Sequence, residues 1–249
     1  MGRVLAVANQ KGGVAKRITV AALASALAER GYKVLAVDLD PQASLTYSLG
    51  FEPDEIEPTV HDVLVGRSYL EDTILSAGEG FDLVPSNIDL AGADAYLLGR
   101  TAREHVLKEA LEEVVDRYQV VLLDCPPSLG VLTINALTAA DQVLVPVQCE
   151  ALSDRGVGQL LSTIADVRRL TNKRLKVAGL LPTMYDGRTR HAREVLEGLG
   201  ERHGIRVLDP VPKSIRFAEA PAAGSSILRS AASHPGAEAY RSLSKALIA

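Results

Sequence analysis

The sequence predicts a doubly wound α/β domain, a mostly parallel sheet with helices on both faces. Three observations predict it. Short β-branched runs alternate with longer helical stretches along the whole 249-residue chain. Hydrophobic residues make up 47% of it, enough for a substantial core. Each glycine-rich or acidic motif follows an apolar run directly, the place where such sheets bind ligands.

The apolar runs predict strands at Arg3–Ala8, Lys33–Val37, Phe81–Val84, Gln119–Leu123, Gln142–Val147 and Lys176–Leu181. Helical spacing fills the intervals at Ile18–Arg30, Arg103–Arg117, Gly130–Ala139, Gly156–Leu170 and Arg188–Arg202. Aromatics are only 4% and Trp is absent, so the expected core is Ala, Val and Leu packing. No repeat, low-complexity tract or long linker divides the chain, and residues 1–249 read as one domain. The acidic, Pro-flanked stretch from Phe51 to Pro58 reads as a surface loop.

Two isolated cysteines, Cys125 and Cys149, read as reduced, buried thiols. The chain enters a strand at once, so no signal peptide is expected, and no run approaches a membrane span. The last helix candidate, Ala237 to Leu247, lacks the bulky apolar face of a membrane-surface anchor. A cytoplasmic protein without a membrane role is expected.

Formal charge is −4, yet Ala165 to Phe217 carries twelve Lys/Arg against six Asp/Glu. A basic segment on an acidic protein suits either local phosphate-backbone binding or solvated helix faces. The cluster Arg168, Arg169, Lys173, Arg174 and Lys176 closes a predicted helix, where cations suit the dipole. It is left outside the candidate site.

Between the first strand and first helix lies QKGGVAKRIT. A glycine-rich turn there aims backbone N–H groups and the helix dipole at one point, which favours a phosphate. Gly12 and Gly13 permit close approach, and Lys16 would reach the β- and γ-phosphates. The pattern GxxxxGK[ST] fails, whereas KGGxxK[ST] fits at Lys11, Gly12, Gly13 and Lys16 and breaks at Arg17. KGGVAKRIT resembles the deviant Walker A loop of the ParA/MinD group, usually KGGVGKTTT. VDLDPQASLTYSLG, from Val37, is similar to that group's second acidic motif, and VVLLDCPPSLG, from Val120, to its Walker B. TMYDGRTRHAREVLE and VPKSIRFAEAP, from Thr183 and Val211, resemble segments of the small chromosomal ParA/Soj branch.

The resemblance implies an ATP-dependent sandwich dimer that binds DNA without sequence preference and answers to a ParB-like activator, hence a nucleoid-associated protein. It implies that Lys11 reaches the partner's nucleotide and that Asp40 positions the attacking water. Gly12, Gly13, Val14, Ala15, Lys16, Arg17 and Ile18 would cradle ATP or ADP, with Pro212 walling the adenine. Asp38 and Asp124 would support a magnesium ion. Arg188 and Arg216 fall where the family carries DNA-binding arginines, and Arg190, Lys213 and Arg193 would extend that patch. The family usually has Arg at the position of Lys213.

Three positions depart from the family loop. Ala15 replaces Gly, at roughly 1–2 kcal/mol if a left-handed conformation is needed. Ile18 replaces a Thr that binds the α-phosphate. Arg17 replaces the Thr whose hydroxyl ligates magnesium, and a guanidinium offers that ion no lone pair. Two outcomes are expected: nucleotide bound with weakened magnesium dependence and slow hydrolysis, or no nucleotide at all. The alternative function is a non-catalytic ParA-like DNA-binding or adaptor protein that does not need ATP.

Overall fold

The computed structural model describes residues 2–148, 153–188 and 190–248; within these, the side chains of residues 153, 154, 190, 191, 193 and 197 are not described. Cys149 lies outside the described residues. The strands are β1 (Arg3–Val7), β2 (Val34–Asp38), β3 (Leu75–Ser76), β4 (Asp82–Val84), β5 (Val120–Asp124), β6 (Gln142–Gln148) and β7 (Lys176–Thr183). They form one sheet in the order β3-β4-β2-β5-β1-β6-β7, parallel throughout except for β3 against β4. The helices are α1 (Lys16–Glu29), α2 (Ser44–Ser48), α3 (Val60–Leu64), α4 (Leu90–Leu98), α5 (Val106–Glu112) and α6 (Val131–Ala139). They continue with α7 (Ser153–Leu170), α8 (Arg190–His203), α9 (Arg216–Ala222), α10 (Ile227–Ser230) and α11 (Pro235–Leu247).

Side chains alternate across a strand, so each sheet face gathers its own core. Val4, Ala6, Leu35, Val37, Val121 and Leu123 pack beneath α4, α5, α6 and α7. Leu5, Val7, Ala36, Val120 and Leu122 pack beneath α1, α10 and α11. Tyr240 of α11, fully buried, sits 3.0 Å from the Thr19 hydroxyl of α1. That packing spends the apolar face of the last helix on the core. No helix among the described residues is long and apolar enough to cross a membrane.

The predicted helix Arg103–Arg117 is broken. Short 3-10 turns at Arg103–His105 and Val115–Arg117 flank α5. The Leu107 N–H donates to Asn135 Oδ1 (3.1 Å), and Asn135 Nδ2 returns a bond to the Arg103 carbonyl (2.9 Å). A side chain from α6 thus supplies bonds that a continuous helix would make internally.

Candidate nucleotide-binding site

β1, β5 and β2 lie side by side, and the loops leaving their carboxyl ends converge. Asp38 and Asp124 are register partners on adjacent strands, and Val7 is the partner of Asp124 on the other side. The loop from β1 turns into α1 through Ala15, which stands in the left-handed region at φ 62°, ψ 30°. The loop therefore demands the conformation that glycine supplies without strain, and Ala15 occupies it with a methyl. Ala15→Gly is expected to stabilise the fold by about 0.5–1 kcal/mol, the strain relieved less the added freedom of the unfolded chain. A urea midpoint moving downward would contradict it.

No side chain caps α1 and its first turn holds no acid. The N–H groups of that turn have no intrahelical acceptor, so they and the dipole aim at one place. A cleft of about 280 Å³ opens there, lined on the loop side by Gly12, Gly13, Ala15, Lys16, Arg17 and Ile18. Asp40 and Asp124 line the opposite side. Lys16 is buried, its Nζ donating to the carbonyls of Asn9 (3.0 Å) and Lys11 (3.2 Å). Burial lowers its pKa against the pull of Asp124, Cys125 and Asp40.

Asp124 is buried with Oδ1 unpartnered. Burial, reinforced by Asp38, pushes its carboxyl well above the usual range, and Lys16 and Arg17 only partly oppose this. Asp38, fully buried, lies behind the cleft. It accepts from Thr46 N (2.9 Å), Thr46 Oγ1 (2.8 Å) and Asp40 N (3.1 Å), and burial raises its pKa to about 6. Asp40 caps the next turn through Gln42 N (3.0 Å), while its carbonyl accepts from Ser86 Oγ (2.9 Å).

Several site residues escaped the sequence reading. Asn9 holds the loop from inside: its Nδ2 donates to Pro146 O (2.6 Å) and its Oδ1 accepts from Lys11 N (3.0 Å). Gln148 Nε2 reaches Gly13 O (3.0 Å), and Thr183 Oγ1 reaches Val14 O (3.2 Å). Gln42, Ser44, Pro127 and Met184 complete the lining. Val14 is buried beneath the loop, and Lys11, Asp38 and Pro212 are not among the lining residues. Pro212 instead bridges Tyr185.

The cradle of N–H groups and the Lys16 ammonium fit a polyphosphate. For magnesium, the buried and unpartnered Asp124 Oδ1 is a fitting oxygen donor, while Arg17, which lines the same cleft, offers the ion no lone pair.

The two basic segments also meet. Tyr185 N donates to Val211 O (3.0 Å) and Lys213 N to Tyr185 O (3.0 Å), which brings together the segments that carry Arg188, Lys213 and Arg216, all exposed. Arg188 pairs with Asp186 through Nε and one Nη, both 2.8 Å, and Arg216 with Glu219 (2.9 Å). The backbone of Arg190 opens α8; its side chain and that of Arg193 lie outside the described ones.

Residues 2–177 match the family model of an AAA domain. Over 251 residues the chain is 42% identical to the sporulation initiation inhibitor protein Soj of Bacillus subtilis, covering 100% of this chain and 99% of that one. The chain belongs to the ParA/Soj family. The chromosome-partitioning ATPase Soj of Thermus thermophilus is 44% identical, over 99% of this chain and 96% of its own. Among solved structures, a Mycobacterium smegmatis protein described as cobyrinic acid a,c-diamide synthase superposes with a TM-score of 0.90 at 50% identity, covering 100% of this chain and 94% of that one. It holds ADP and magnesium, and a second structure of it holds an ATP analogue and magnesium. These magnesium-bearing structures lend no support to a weakened magnesium site, an expectation that rests on Arg17 alone.

Proposed function

We propose that this ParA/Soj member is a DNA-partitioning protein whose cleft binds ATP or ADP and whose hydrolysis is impaired by Arg17. The observation that carries the reading is the open cradle at the start of α1, with Lys16 beneath it and the buried Asp124 Oδ1 unpartnered opposite. The nucleotides held by the M. smegmatis protein support a nucleotide here. The names of the Soj relatives support a role in chromosome partitioning.

In this reading the first-turn N–H groups and Lys16 bind the phosphates, and Lys11 reaches the nucleotide of a second copy. Asp40 holds the water. Arg17 sits beside Asp124 and supplies positive charge near the phosphates without an ion's oxygen ligands, so magnesium adds little and turnover is slow. Calorimetric titration with ATP, ADP and a non-hydrolysable analogue, with and without magnesium, tests this. Binding of comparable strength in both conditions is expected; no heat with any nucleotide would overturn it.

Closure of the dimer would bring together two copies of the Arg188, Arg190, Lys213 and Arg216 surface, giving sequence-independent DNA binding, nucleoid association and a site of action for a ParB-like activator. Arg188→Ala and Arg216→Ala are each expected to reduce the salt slope of DNA binding by about 2, one for each copy in the dimer. Both side chains are exposed, so the thermal midpoint should hold. Unchanged mobility-shift titrations at low salt would count against the surface.

One observation favours a second reading, an adaptor that needs no ATP. The Lys16 ammonium is already satisfied by the Asn9 and Lys11 carbonyls, so the loop keeps its shape without a ligand. Silent calorimetry with undiminished DNA binding would select it.

A further inference from the structure

The cluster Arg168, Arg169, Lys173, Arg174 and Lys176 has a setting that helix termination does not account for. Arg168 and Lys176 form the rim of a cleft of about 440 Å³ between α7, the start of β7 and the end of α8, and Arg206 joins them from the segment after α8. The three are exposed, and no carboxylate is among the described residues that line it. The floor is apolar: Leu161, Val177 and Ile205, each left half-buried. Asp166, one turn from Arg169, is engaged by it at 3.1 Å.

The cleft is preformed. The strip after α8 is hydrogen-bonded along the edge strand, with Leu180 N donating to Arg206 O (2.9 Å) and Leu208 N to Leu180 O (2.9 Å). Two glycines allow it to seat. A Cβ at Gly200 would come within 2.9 Å of Val207 Cγ2, and one at Gly179 within 2.9 Å of Leu208 Cγ. The position is also remote from the cleft at α1. It lies at the amino end of β7, whose eight residues put it about 23 Å from the carboxyl end.

The geometry points to a docking site for an acidic amphipathic segment of a protein partner, its carboxylates on Arg168, Lys176 and Arg206 and its apolar side chains on Leu161, Val177 and Ile205. Charge complementarity selects the sign of the partner, because Arg168, Lys176 and Arg206 line the cleft with no carboxylate among its described lining residues. The floor selects the class. A phosphate backbone needs cations and gains nothing from three half-exposed aliphatic side chains, whereas an amphipathic segment uses both. A preformed groove lowers the ordering cost of binding on this side.

The test uses the whole chain and a fluorescein-labelled peptide of Leu and Glu with its leucines on one helical face, about four turns long. Anisotropy titration should give saturable binding that weakens as salt rises. The Arg168→Ala/Arg206→Ala double variant should lose about tenfold or more in affinity. Ile205→Ser should weaken the Leu/Glu peptide, and an all-Glu peptide of equal length should bind more weakly to the unaltered chain. Nucleotide titration should be unchanged in all variants, which separates this site from the cleft at α1. The proposal is overturned if the peptide does not bind or if the double variant binds it equally. It is also overturned if the double variant loses affinity for a short DNA duplex while keeping it for the peptide.

Discussion

Arg17→Thr is expected to raise the ATPase turnover roughly 100-fold, the scale of restoring one preorganised electrostatic contact in an active site. The unaltered loop keeps the first-turn N–H groups, Lys16, and carboxylates at Asp40 and Asp124 across the cleft, with Ala15 and Ile18 as its other departures from the family pattern. What position 17 lacks is an oxygen. A threonine there returns a hydroxyl ligand and removes a fixed positive charge from beside Asp124, where a divalent ion competes for the same field. The gain should therefore appear only with magnesium present. Affinity for ATP without the ion should fall in the same variant, since the guanidinium no longer faces the phosphates. Steady-state phosphate release with and without magnesium reads both effects. Turnover in the unaltered protein equal to that of Arg17→Thr would show that Arg17 does not obstruct the ion.

The fold was legible because its strands are buried on both faces and write themselves as continuous apolar runs. β1, β2, β5, β6 and β7 lie within about two residues of the predicted spans, the usual uncertainty of element ends. The antiparallel β3 was not legible, since Leu75–Ser76 is two residues long and half-exposed. Nor was α4, whose stretch LAGADAYLL presents no clear apolar face. At the site, the motifs placed Lys16, Asp40 and Asp124 together. They could not reveal Asn9, Gln148 or Thr183 as supports of the loop, because each acts through a backbone carbonyl distant in sequence. The setting of the basic cluster was not legible for a related reason. Helix termination accounts for Arg168 and Arg169, but the apolar floor beside Arg206 arises only when the segment after α8 pairs with β7.

Asp124→Asn is expected to abolish hydrolysis and at the same time stabilise the ligand-free protein. Asp124 is buried, its Oδ1 has no donor, and its register partner Asp38 is a second buried acid. The unfolded carboxyl ionises near its ordinary value of 3.8, whereas the folded one holds its proton to a higher pH. The folded state thus binds the extra proton across that interval, and its stability falls as pH rises from the unfolded pKa through the folded one. Below the interval the group is neutral in both states and carries no penalty. Asparagine removes the ionisation and places an amide donor beside Asp38. With an unsatisfied buried charge costing about 2 kcal/mol, the variant should melt roughly 4–8 °C higher at pH 8. At pH 4 the two proteins should melt close together, because Asp124 then keeps its proton when folded. A variant that melts lower at pH 8 would mean that Lys16 stabilises the ionised carboxylate by more than burial opposes it. In that case the acid is held by the fold as a structural ion pair, and its retention beside Arg17 no longer speaks for nucleotide chemistry.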